Sequence, residues 1–100
     1  MVKHVILWQL KDELTEEEKR NIAREIKEGL EGLKGTVESI VDIHVQIDYL
    51  DSSNAQVMLD STFEDEEGLE AYATHPEHLN VAKTKVVPYV KSRVCMDYEV

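Results

Sequence analysis

The segment Tyr72-Ala73-Thr74-His75-Pro76-Glu77-His78 brings a phenol, two imidazoles and a carboxylate together, and no other stretch of the chain is as dense in acid–base groups. An imidazole can take a proton from a carbon next to a carbonyl while a phenol donates a hydrogen bond to the oxygen that gains charge. Tyr72 and His78 are the candidate catalytic pair for that chemistry. Proline lacks an N–H and fixes its own φ, so Pro76 suits the first residue of a new helix and forces His75 out of the helical region. His75 is then a hinge that caps the break, with ligand contact as its second reading. His78 falls in the first turn of the new helix, where unpaired N–H groups and the positive end of the dipole disfavour imidazolium. A neutral His78 is a usable base.

The other candidates lie on predicted strands. Val2 to Leu10 is rich in β-branched and aromatic residues, and a period of two puts Val2, His4, Ile6, Trp8 and Leu10 on one face. A polar residue on such a face needs a partner. His4 therefore reads either as a hydrogen-bonded core histidine or, beside Trp8, as part of a cavity wall. His44 lies on a wetter strand face and reads as a surface residue. Cys95, with only Arg93 as a nearby cation, reads as packing. His4, His75, His78 and Glu77 have metal-binding residue types, but their spacing matches no established zinc pattern, so neither a metal nor a cofactor is expected.

These groups must be positioned by a small scaffold. One hundred residues fit one domain, 1–100, that buries only about 60–65% of its unfolded surface, so dimerisation is an easy way to enlarge the core. With 21 acidic against 11 basic side chains, the formal charge of −10 repels a phosphate backbone and argues against nucleic acid. The lone Cys95 cannot form an internal disulfide, and no apolar run approaches the roughly 20 residues needed to span a bilayer. A soluble cytoplasmic protein is the expectation.

Thr15 followed by Glu16–Glu18 predicts a capped helix whose inner stripe is Ile22, Ala23, Ile26, Leu30 and Leu33, ending at Gly35. Thr36 to Tyr49 alternates cleanly, with Val37, Ser39, Val41, Ile43, Val45 and Ile47 on one face. Ala55 to Phe63 alternates again after a turn, which predicts an antiparallel hairpin. Asp65 or Glu64 caps a second helix that carries Tyr72 inward until Pro76 breaks it. Leu79, Ala82, Val86 and Val87 mark the inner face of a third helical piece, and Ser92 to Val100 closes as a strand. The order is βαββαβ, an α+β ferredoxin-like arrangement with helices on one face of a four-stranded antiparallel sheet. The other sheet face needs a cover, which a second copy can provide.

With these elements in place, the chain resembles the stress-responsive A/B barrel family of small dimeric α+β barrel proteins. The marks are Val2-Lys3-His4-Val5, Phe63-Glu64-Asp65 leading to Leu69 and Tyr72, then His75-Pro76-Glu77-His78, and Arg93 with Asp97-Tyr98. The resemblance implies a homodimer whose sheets form a barrel, with a ligand cavity between sheet and helices. Most members lack an assigned reaction, while a few plant members resemble polyketide cyclases that close rings without a cofactor. Their pattern lands on His4, Tyr72 and His78, and Val57 holds the place where the cyclases carry a further histidine. The expected cavity is thus lined by His4, Trp8, Val57 and His75 around Tyr72 and His78, and takes a small, mostly apolar carbonyl compound. Two other readings stand beside it. One is a non-enzymatic stress or assembly protein in which Leu, Val and Met side chains fill that space. The other, by fold analogy, is a cofactor-free or haem-dependent monooxygenase.

Overall fold

Strand β1, Val2–Leu10, lies at the centre of the molecule because both of its faces are apolar enough to be covered. The computed structural model describes residues 1–100. Helix α1 spans Glu16–Glu31, followed by β2 (Ile40–Gln46), β3 (Val57–Phe63), α2 (Glu66–Ala73), α3 (Pro76–Val81) and β4 (Val90–Glu99). The strands form one antiparallel sheet in the order β2-β3-β1-β4. With two βαβ crossovers this is the ferredoxin-like arrangement.

Alternation decides which side chains meet. In β1, Val2, His4, Ile6, Trp8 and Leu10 are all buried on the helix side. Register sets Ser61 on one side of His4 and Asp97 on the other, and sets Trp8 between Val57 and Arg93. The opposite sheet face carries Leu7, Val94, Met96 and Tyr98, all left exposed in a single chain.

Helix α1 begins with the predicted capping box: the Glu18 N–H donates to Thr15 Oγ1 at 3.1 Å and the Thr15 N–H donates to Glu18 Oε1 at 2.8 Å. Thr15→Ala removes this cap and is expected to lower stability by about 1 kcal/mol, read from chemical denaturation. Ile22, Ala23, Ile26 and Leu30 pack inward as their spacing requires. The helix ends earlier than expected, with Gly32 as its C-cap, and Gly35 instead takes a turn at φ +97°. Gly29 allows close helix packing, since a Cβ there would stand 3.0 Å from Val81 Cγ1.

Three other expectations are corrected. The strand expected over 36–49 is shorter: residues 32–39 form turns, with the Thr36 and Val37 N–H groups donating to the Leu33 carbonyl, and residues 47–49 leave the ladder. A register shift between Ile40 and Asp42 turns Ile40 inward and leaves Val41 exposed, which breaks the uniform alternation. In the third helical piece, Leu79 and Val87 are exposed while Val86 is buried. Leu79 lies on α3, before any irregularity, and simply faces outward there. Val87 is displaced by a wide π-turn over Ala82–Val86, closed by the Val87 N–H donating to the Ala82 carbonyl, which rotates the following residues off the helical stripe.

Candidate functional site

Between the sheet and the broken helix lies a cavity of about 180 Å³. Ten of its 13 lining residues are apolar, so it favours a largely apolar guest. Ile6, Leu30, Leu59 and Val86 form most of the wall, and the three remaining residues, His4, His78 and Arg93, together with the hydroxyl of the otherwise apolar Tyr72, supply the polar groups. Sheet, α1 and the break after α2 each contribute, and the Gly29 contact lets Val81 and the π-turn settle close enough to roof the space.

Asp65 caps α2 by accepting from the Gly68 N–H at 2.8 Å, and the helix then turns Tyr72 inward until the side chain is about 1% exposed. Its ring packs on Phe63 at 5.1 Å and on His78 at 4.2 Å between centroids. The Tyr72 hydroxyl is buried without a hydrogen-bond partner. Such an orphan donor is uncommon and calls for an explanation. Burial pushes the phenol's pKa far above its ordinary value, against a smaller opposing pull from Arg93, so Tyr72 is a permanent donor rather than a base.

Pro76 opens α3 as expected, and His75 Nδ1 caps it by accepting from the Glu77 N–H at 3.1 Å. His78 turns back, and its Nδ1–H donates to the Ala73 carbonyl at 3.1 Å, which leaves Nε2 with its lone pair. Its pKa is lowered, first by burial and then by the charges of His4, Arg93 and His75, against an opposing effect of the Ala73 bond. Desolvation therefore keeps the ring neutral, whereas the sequence pointed to the short helix's N-terminus as the cause. On β1, His4 Nδ1 bonds Asp97 Oδ1, and the Ser61 hydroxyl donates to the His4 carbonyl at 2.9 Å. The carboxylate fixes Nδ1 as the donor, so Nε2 is again the free nitrogen.

Four of the six expected site residues, His4, Trp8, Tyr72 and His78, meet at this one cavity. The structure keeps the other two away. Val57 is fully buried in the core opposite Trp8, and Leu59, one inward position further along β3, reaches the cavity instead. His75 faces a separate surface depression beside Val37 and Ser39, its ring occupied as a cap. Sequence reasoning missed Arg93, which lines the cavity, and Asp97, which bonds the cavity residue His4. Their signal is parity on β4, which puts Arg93, Cys95 and Asp97 on the same face as His4 and Trp8. Cys95 is exposed and faces His4 and Asp97, so it is not a packing residue.

The sequence model of the stress-responsive A/B barrel domain matches residues 2–100. The chain belongs to this family. Among solved structures, a dimeric protein of unknown function with a ferredoxin-like fold from Bacteroides fragilis is 33% identical. It covers 99% of this chain and 95% of its own, with a TM-score of 0.93. A family protein from Mesorhizobium loti has 16% identity, coverage of 99% and 95%, and a TM-score of 0.75. A hydroxynitrile lyase from Passiflora edulis shares the fold at 17% identity, coverage of 97% and 90%, and a TM-score of 0.72. A comparison with curated protein sequences finds no match. In this A/B barrel chain no helix is long and apolar enough to cross a membrane.

Proposed function

We propose that the protein is a homodimer that binds a small, mostly apolar carbonyl compound between sheet and helices and acts on it by cofactor-free acid–base chemistry. The observation that carries this reading is the buried, unpartnered Tyr72 hydroxyl at a cavity where His78 keeps a free ring nitrogen. A carbonyl oxygen placed against Tyr72 satisfies the orphan donor. The expectation that Leu, Val and Met side chains would fill this space, which belongs to a purely structural role, is not in keeping with the open volume.

Volume narrows the guest. An engineered apolar cavity of about 150 Å³ holds benzene, whereas drug-sized ligands occupy about 300–1,000 Å³. At about 180 Å³ the cavity suits a single ring with a short carbonyl substituent and excludes a multi-ring polyketide. The ring lies among Ile6, Leu30, Leu59 and Val86, and its oxygen accepts from Tyr72. His78 Nε2 then takes a proton from the carbon next to the carbonyl. The C–H bond breaks, its electron pair forms the carbon–carbon double bond while the carbonyl π pair moves to the oxygen, and the enolate is held by the Tyr72 hydrogen bond. Arg93 at the cavity rim adds a favourable charge for that anion.

The test is deuterium exchange into the methyl group of acetophenone in heavy water, followed by proton NMR. Because burial depresses the pKa of His78, its basic form is complete at lower pH than for a free histidine. The exchange rate is expected to climb with pH and level off with its midpoint below that of a free histidine. His78→Ala should lower the plateau by about 10²–10⁴-fold, the usual contribution of a positioned base. Equal exchange by the two proteins contradicts the base assignment.

A further inference from the structure

We infer that His4, Cys95 and Asp97 form a binding site for a divalent cation of the zinc class, separate from the carbonyl-binding chemistry. Their donor atoms all lie within 4.8 Å of one another. Cys95 Sγ stands 3.7 Å from His4 Nδ1 and 3.6 Å from Asp97 Oδ1. Around a tetrahedral zinc ion with ordinary bond lengths, a sulfur donor and a nitrogen or oxygen donor are about 3.6 Å apart, so two of the three edges already have the required length. The third edge is the His4–Asp97 hydrogen bond. It must open to about 3.4 Å, which follows from the same bond lengths. Asp97 has the freedom to make this change, since its side chain is 46% exposed.

The placement is a property of the sheet. Asp97 sits opposite His4 in the β1–β4 register, and Cys95 is two residues away on the same face. The three donors therefore come from paired backbone rather than from loops, which limits the reorganisation that binding needs. Strand β4 is the sheet edge, and Cys95 and Asp97 are exposed there, so a cation has a path in and a water can take the fourth position. A thiolate, an imidazole and a carboxylate favour zinc over magnesium or calcium, which prefer oxygen donors. The ion would bind His4 Nδ1 and leave Nε2 on the cavity side, so cation binding and carbonyl binding can be measured separately.

Cobalt(II) is the probe, because a tetrahedral cobalt thiolate absorbs in the visible and has a sulfur-to-metal charge-transfer band in the near ultraviolet. Cys95 is the only cysteine, so any such band reports this sulfur. Titration of the full chain is expected to saturate at one cobalt per chain and to be reversed by zinc. Cys95→Ser should abolish the charge-transfer band, and Asp97→Asn should weaken binding by about tenfold or more. Three results overturn the site: no charge-transfer band, saturation at half an equivalent because two chains share one ion, or an Asp97→Asn variant that titrates like the wild type.

Discussion

Replacing Tyr72 with phenylalanine is expected to raise the melting temperature of the empty protein while removing most of its affinity for a carbonyl ligand. The two effects have one source. In the empty protein the Tyr72 hydroxyl is buried without a partner, and leaving such a group unsatisfied costs about 1–3 kcal/mol. Phenylalanine keeps the ring, so the contacts with Phe63 and His78 at 5.1 Å and 4.2 Å survive and no cavity is created beneath the ring. For a domain of this size 1 kcal/mol corresponds to about 4–8 °C, a shift that ordinary calorimetry resolves. The same substitution removes the donor that meets the ligand oxygen and should weaken binding by about 10–100-fold. A variant that melts below the wild type would mean that the hydroxyl is satisfied in the empty protein, and the observation carrying the proposed function would be lost.

Met96→Asp is expected to convert the protein from dimer to monomer. Met96, Val94, Tyr98 and Leu7 form an apolar stripe on the sheet face away from the helices, and Met96 and Val94 are 67% and 63% exposed in a single chain. A stripe of this kind on a small protein marks an interaction surface. The Bacteroides fragilis relative at 33% identity is described as dimeric, which supports a second copy as its cover. In a two-fold interface each substitution occurs twice, and a carboxylate trapped there without a cation costs about 3 kcal/mol or more. The dimer dissociation constant should therefore rise by at least about 100-fold. Light scattering over a concentration series checks this. A wild type that is monomeric at micromolar concentration, or a variant that remains as dimeric as the wild type, contradicts the sheet-face dimer.

What could be read in advance divides along local and non-local lines. The Thr15–Glu18 capping box, the inward stripe of α1, the hairpin of β2 and β3, and the break at Pro76 are each written in a few neighbouring residues, and each forms, although α1 ends earlier and β2 is shorter than the sequence suggests. That Tyr72, His78, His4 and Trp8 would gather at one cavity was legible because helix phase and strand parity point them to one side of the sheet. The remainder depends on contacts that periodicity does not encode. The shift between Ile40 and Asp42 and the π-turn at Ala82–Val86 are adjustments of backbone to packing, and each moves residues off their expected faces. Asp97 reaches His4 across 93 positions of chain through β1–β4 pairing, so no local motif announces it. Val57 and Leu59 share a face of β3, and only the position of the roof over the sheet decides that Leu59 lines the cavity while Val57 serves the core. His75 shows one residue choosing between two readings: capping the Glu77 N–H satisfies its ring nitrogen locally and turns it away from the cavity.

The measurement that tests the central claim most directly is a thermal-shift titration of the wild type and Tyr72→Phe with single-ring carbonyl compounds, acetophenone and benzaldehyde first, because selective binding stabilises the native state by mass action. At least one compound should raise the wild-type melting temperature in a concentration-dependent way and leave Tyr72→Phe unmoved. Shifts that are absent in both proteins, or equal in both, would contradict a carbonyl site built on the Tyr72 hydroxyl.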